Sequence, residues 1–487
     1  MGHNAHRAGG RRPSAARAKL VATTLGALAL SAGMVGCKAS RPALDLGLLY
    51  DQTAQSIGDD RTPVVVIPGI LGTKLEDDTT GQKIWGSFTF GAADADKPDG
   101  ARAFALPMEE GVPLSELTDS GIAVDVLDVV VADVGIFRGI EIGAYVDILM
   151  TLAAGSYRDE SLGNSGAIDY DGLHFTCFQY PYDWRRDVSE SARALHDHVT
   201  DAQWQLRAGR GLSADEHVKV DVVAHSMGGL VLRYYLRYGT QALPDDGSLP
   251  ELTWEGAKNV DRAFLVGTPS AGSVGSFQRL VEGLDLNPVF PNYRPTVVGT
   301  MPALYQLLPR PRHVRIIDEQ GEPIDVLDAS VWELYGWGLA DPDADEQLAW
   351  LLPDIESPED RRRIALDHLR KCLARADQFF RALDIPASPP EGTSIYLFAG
   401  DADETHSVIT VDADGKLSPG AFEPGDGTVT RSSALMDERL GREWAAGLES
   451  PIDFERVQFL NADHLGLTRS PAFTDNLLYL MLEDPRD

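Results

Sequence analysis

Five short runs of the chain are apolar at successive positions rather than alternate ones. They are "PVVVIPG" (63–69), "LHFTCFQY" (173–180), "VKVDVVAHS" (218–226), "RAFLVGTP" (262–269) and "SIYLFAG" (394–400). A strand of this kind has to be covered on both faces, which antiparallel sheets with one wet face do not require. Between the second and third runs, Val188, Ala192, Leu195 and Val199 recur at helical spacing. Doubly covered strands separated by helices specify an α/β fold built on a mostly parallel sheet. "VQFL" (457–460) reads as its last strand.

Two stretches break the alternation. Residues 72–135 mix Asp, Gly and Pro with apolar knots such as "IWGSFTF" (84–90), and read as a lid or membrane-contact insertion. Residues 272–390 carry a long helix with Leu366, Leu369, Leu373, Ala376, Phe380 and Leu383 on one face, and read as a cap. Insertions of this length are too long for plain loops. The core is then expected over 61–271 and 391–487.

In "VVAHSMGGLVLRYYLRYG" (222–239) a buried strand meets Ser226 and becomes a helix after two glycines. A strained strand-to-helix elbow pushes a serine outward and tolerates only small neighbours, as in Gly-x-Ser-x-Gly. Here Ala224 takes the place of the first glycine. A nucleophilic serine needs a base, a group that orients the base, and donors for the oxyanion. In the order serine, acid, histidine, the base falls to His464, the only histidine beyond residue 406. Three acids compete. Asp401 and Asp403 directly follow the run "SIYLFAG", while Asp426 sits in the glycine-bounded turn "GDGTV" (425–429). The oxyanion donors are expected to be the backbone N–H groups of Met227, after the serine, and of Ile70, in the turn "IPGILG". There Gly69 and Gly72 let the backbone approach a substrate.

The net charge is −31. A chain this acidic neutralises no phosphates, so nucleic acid is excluded as a partner, and it has no Coulomb attraction for an anionic bilayer. The exception lies at the start, where residues 1–36 carry Arg7, Arg11, Arg12, Arg17 and Lys19 and no acid. The apolar run that follows is too short to span a membrane, as in a secretory signal. It ends in "MVGC" (34–37), which resembles a bacterial lipobox, with Cys37 as the lipidated residue and 37–60 as a tether. The expected location is therefore the cell envelope, anchored at an extracytoplasmic membrane face. Of the two remaining cysteines, Cys177 in "LHFTCFQY" reads as a buried free thiol, with a pairing of Cys177 and Cys372 in an oxidising compartment as the alternative.

Seven motifs, "PVVVIPGILGTKLE", "YPYDWRRD", "HSMGG", "GTPSAGS", "MPALYQLLP", "GDGTVTRSSAL" and "NADHLGL", follow one another over roughly residues 62–480. In this order they resemble the lecithin:cholesterol acyltransferase family, which includes lysosomal phospholipase A2 and phospholipid:diacylglycerol acyltransferases. The resemblance implies an α/β-hydrolase fold with inserted cap and lid segments. It implies Ser226, Asp426 and His464 as the triad, and selects Asp426 over Asp401. "IWGSFTF" resembles the family's lid, which puts Trp85, Phe88 and Phe90 at the membrane contact. The chain has no cysteine between 38 and 176 to close that lid with a disulfide. "GTPSAGS" lacks the histidine of related bacterial lipases, so neither a metal nor another cofactor is expected.

The function these residues imply is a serine acyl enzyme acting on membrane lipids. A phospholipid serves as acyl donor, and water or a lipid alcohol as acceptor. A triacylglycerol lipase or carboxylesterase would use the same triad. A non-catalytic lipid-binding envelope lipoprotein would need none of it.

Overall fold

The computed structural model describes residues 46–55, 61–88, 91–127, 130–132, 135–137, 142–285, 290–440 and 445–486. Cys37, the leader and most of the tether lie outside these residues, as do Phe90 and the side chain of Phe88.

Six parallel strands form the central sheet: β1 (Val64–Ile67), β2 (Cys177–Gln179), β3 (Val220–His225), β4 (Val260–Val266), β5 (Ser394–Gly400) and β6 (Arg456–Leu460). Their spatial order is β6-β5-β4-β3-β1-β2, and every neighbouring pair is parallel. The successive apolar residues divide between the two faces as the strand period of two requires. Val65 and Ile67 of β1, Val222 and Ala224 of β3, and Leu265 of β4 enter one buried cluster. Val64, Val66, Val223, Phe264 and Val266 enter a second. The run 173–180 is shorter as a strand than as a sequence pattern, because only Cys177–Gln179 pair with β1.

Helices α1 (Ile142–Ala154) and α5 (Pro471–Leu482) cover the face of the second cluster. Helices α2 (Val188–Arg210), α3 (Gly228–Tyr238) and α4 (Pro358–Leu383) pack with the first. Val188, Ala192, Leu195 and Val199 form the buried stripe of α2, which starts where the Asp187 side chain accepts the Ser189 N–H at 2.8 Å. All eleven residues of α3 are buried, so it is a central helix rather than an amphipathic surface one. Its Arg233 reaches the cap, donating to Ser270 O at 3.2 Å and Leu383 O at 3.1 Å.

The hairpin Asp403–Val411/Leu417–Gly425 follows β5 and pairs with Arg315–Asp318, a strand from the 272–390 insertion. Part of the stretch read as core is thus joined to the cap.

Residues 73–126 depart further from expectation. Thr73–Asp77 pairs with Lys83–Trp85 and with Gly121–Val126 as a small antiparallel sheet. Trp85, expected at a membrane contact, is only 3% exposed. It packs edge-on to Trp184 and Tyr293, with ring centroids 5.6 and 5.7 Å away. A ring buried this way offers a bilayer nothing to touch. The cap tryptophans Trp332 and Trp337 are buried too. Among the described residues no helix is long and apolar enough to cross a membrane. Cys177 and Cys372 are free, buried thiols. Burial pushes both pKa values up, so neither is a ready nucleophile.

Candidate active site

Ser226 stands at the end of β3 with φ 53°, the left-handed region that non-glycine residues rarely enter. Such a backbone costs about 1–3 kcal/mol and persists only where its surroundings enforce it. Here the Ser226 N–H donates to Val266 O of β4 at 2.8 Å. The flanking glycines are required by close approach. A Cβ on Gly228 would lie 2.5 Å from Pro68 O, and one on Gly229 would strike the Thr268 side chain. Ala224 meets no such conflict; it is an in-register strand residue between Ile67 and Leu265.

His464 follows β6 and presents Nε2 to Ser226 Oγ at 3.1 Å, while its Nδ1 lies 2.8 Å from Asp426 Oδ2. All three residues are buried, at 6, 4 and 2% exposure. A buried carboxylate must be satisfied by donors. Asp426 Oδ1 accepts the N–H groups of Thr428 at 2.9 Å and Val429 at 2.6 Å. The His464 N–H also donates to Asp426 O at 2.8 Å, tying the acid loop to the base loop.

The hairpin explains how Asp426 reaches this position. Its two strands leave β5 and return, so Asp426 lies beside Gly400, the last residue of β5. A Cβ on Gly400 would come 2.6 Å from Asp426 Cβ. Asp401 instead pairs with Arg431 at 3.3 Å, and Asp403 is exposed.

Gly69 abuts the nucleophile, since a Cβ there would sit 2.8 Å from Ser226 Cβ. The next residue in the turn is Ile70, and Leu71 after it has φ 65°. Among the described residues, neither the Ile70 nor the Met227 N–H is engaged in a hydrogen bond. Aromatic donors clamp the carbonyls on either side of the turn. Tyr182 Oη donates to Pro68 O at 3.0 Å, Trp85 Nε1 to Leu71 O at 2.8 Å, and Trp184 Nε1 to Thr73 O at 3.3 Å. Tyr182 and Trp184 belong to "YPYDWRRD", whose Arg185 is fully buried between Asp119 and Asp183, each at 2.7 Å.

His225 precedes the serine. Burial, above all, lowers its pKa to about 3, so it is neutral at ordinary pH. Its Nε2 lies 3.3 Å from His464 O, within reach for a neutral imidazole to donate. Sequence reasoning gave it no role, because a histidine beside a serine looks the same whether it touches substrate or backbone.

Beside the turn lies a small apolar cavity of about 10 Å³, lined by Ile70, Leu71, Trp184, Met301, Leu304 and Arg279. A larger cleft of about 590 Å³ between Asp187, Glu190, Arg193 and Arg375 includes no triad residue. No triad residue lines the smaller cavity either, although its wall includes Ile70 of the oxyanion turn.

Residues 168–321 match the model of the family described as lecithin:cholesterol acyltransferase. Over this stretch, about a third of the chain, it is similar to the lecithin:cholesterol acyltransferase family. The match contains Ser226 but neither Asp426 nor His464, which the fold brings to it. The match supports a lipid-acting acyl hydrolase or acyltransferase. No curated protein sequence matches the chain. Among solved structures, one entitled "The crystal structure of Tle4-Tli4 complex" is similar, with a TM-score of 0.50 at 14% identity over 86% of this chain and 98% of that one. At that identity the likeness is one of fold, and it agrees with an α/β-hydrolase. Phospholipase PlaB from Legionella pneumophila matches 53% of this chain and 36% of its own at 13% identity, but its TM-score of 0.21 carries no argument.

Proposed function

We propose that the protein is a serine acyl enzyme that takes an acyl group from a phospholipid and passes it to water or a lipid alcohol. The observation that carries this reading is the unbroken hydrogen-bonded row Ser226–His464–Asp426. His464 Nε2 takes the Ser226 hydroxyl proton as Oγ attacks the ester carbonyl carbon. The tetrahedral oxyanion is held by the N–H groups of Ile70 and Met227. On collapse the ester C–O bond breaks, His464 returns the proton to the departing alkoxide, and the acyl group stays on Ser226. Water or an alcohol then reverses these steps. Asp426 keeps Nδ1 protonated and offsets the charge of the imidazolium. The family match supports a lipid ester as substrate. Attachment to an extracytoplasmic membrane face through Cys37 belongs to the same proposal.

One experiment tests it. The full-length protein is recovered from fractionated cells, treated with a fluorophosphonate, and assayed for fatty acid released from phosphatidylcholine vesicles with and without an added long-chain alcohol. Labelling of wild type but not of Ser226→Ala, together with acyl release or ester formation, is the expected result, with the protein in the membrane fraction. A labelled protein that acts only on short soluble esters would reduce the reading to a carboxylesterase. Absence of labelling would overturn it.

A further inference from the structure

We propose that His225 is a positioning residue for the base: its Nε2–H donates to the His464 carbonyl and so fixes the backbone from which the catalytic imidazole projects. This inference rests on the reading of His464 as the base that serves Ser226.

His225 is the last residue of β3 and pairs in register with Val266 of β4, so the sheet sets its backbone. Alternation along the strand puts its side chain on the face of Val223, opposite to Ala224. There the imidazole is 2% exposed and meets two loops of the site at once. Its Nε2 lies 3.3 Å from His464 O, and the two rings stand 5.0 Å apart, tilted at 45°. A Cβ on Gly69 would come 3.4 Å from its Nδ1, so the same ring borders the oxyanion turn. A carbonyl oxygen only accepts, which assigns the proton to Nε2 and the lone pair to Nδ1.

His464 needs such a tie because it stands in a turn beyond the end of β6, outside the sheet. Its imidazole has to meet Asp426 Oδ2 and Ser226 Oγ together, at 2.8 and 3.1 Å. Its N–H is held by Asp426 O at 2.8 Å, and its carbonyl by His225. One tie leaves the backbone free to pivot about it; two fix the direction in which the side chain leaves. The donor on β3 belongs to a rigid strand, which holds geometry better than a loop does. It also has to be neutral. His464 becomes a cation when it takes the serine proton, and a second cation 5.0 Å away would oppose that step. Burial, and after it His464 itself, keeps His225 uncharged.

The test measures kcat and KM on a soluble ester, per folded molecule, for wild type, His225→Phe, His225→Asn and His225→Gln. Phe keeps a ring and has no donor. Asn carries an amide only as far as the place of Nδ1, short of His464 O, while Gln carries one to the place of Nε2. Misplacing a reacting group by about 1 Å costs on the order of a hundredfold. A loosened base should therefore lower kcat about tenfold or more in Phe and Asn, with KM little changed. Gln should recover most of the loss. If Phe does not fold, the comparison of Asn with Gln decides alone. Equal losses in Asn and Gln, an effect confined to KM, or an unaltered kcat in Phe and Asn overturns the proposal and leaves the triad standing. Wild type unlabelled by fluorophosphonate removes the triad and this inference together.

Discussion

Asp426 is separated from the end of β5 by a whole hairpin, yet it is the carboxylate that meets His464. The reason is local. Its Oδ1 is bound by the N–H groups of Thr428 and Val429, which leaves Oδ2 aimed at Nδ1 of His464. Asp401 has the chain position of an acid that directly follows its strand, but its partner is Arg431 at a half-open surface. Asp426→Asn should therefore cost kcat about 10⁴-fold on a soluble ester, the order seen when a triad acid becomes an amide and the imidazole takes the wrong tautomer. Asp401→Asn should change kcat little. Steady-state kinetics on both variants decides it. A larger loss in Asp401→Asn would mean the acid has been misassigned.

At the scale of elements, the sheet was legible from sequence because strands covered on both faces leave an unmistakable apolar record. The return of the hairpin to β5 was not legible, since its second strand, Leu417–Gly425, is exposed along most of its length and carries no buried pattern. The motif "GDGTV" marked a turn, and resemblance alone made it the acid. Trp85 was misplaced for a different reason: an aromatic in a short strand between glycine-rich turns has the same sequence signature whether it faces lipid or core. Its indole N–H holds Leu71 O, so the strand Lys83–Trp85 serves the turn that carries Ile70. Trp85→Phe keeps a ring in the core and removes that donor, leaving a buried carbonyl unpaired at a cost of about 1–3 kcal/mol. A turn held at φ 65° for Leu71 should relax when one of its ties is cut. The expected result is a kcat lowered about tenfold, equally on soluble ester and vesicles, with KM little changed. A loss confined to vesicles would return Trp85 to the membrane. An unaltered kcat per folded molecule, with only Tm lowered, would show that the turn does not depend on it.

Across the whole molecule, among the described residues, three buried histidines, His225, His313 and His368, and the half-buried His198 are held as neutral groups. Burial, in each case the largest cause, lowers His225 and His313 to about 3, and His198 and His368 to about 4. For His313 the neighbouring Arg312 and Arg310 push the same way. Unfolded, each returns to about 6.5. The unfolded chain thus binds more protons than the folded one between about pH 6.5 and the folded values, and stability rises with pH across that window. On acidification it is lost, at about 1.4 kcal/mol per histidine between pH 7.5 and 5.5. Two effects oppose this. Glu190 and Asp221 are raised by burial and hold protons in the folded state, and low pH relieves the repulsion of a chain at −31. Ordinary carboxylates titrate near 4, however, about two units below histidine. From pH 7.5 to 5.5 the histidines therefore decide the sign, and Tm should fall by several degrees. His368→Gln, whose amide can also donate to Thr300 O, should flatten the slope by one proton's share. Thermal unfolding of wild type and variant across that range measures both effects. A Tm that stays flat or rises down to pH 5.5 would mean that these side chains open to water or gain acidic partners before the fold is lost.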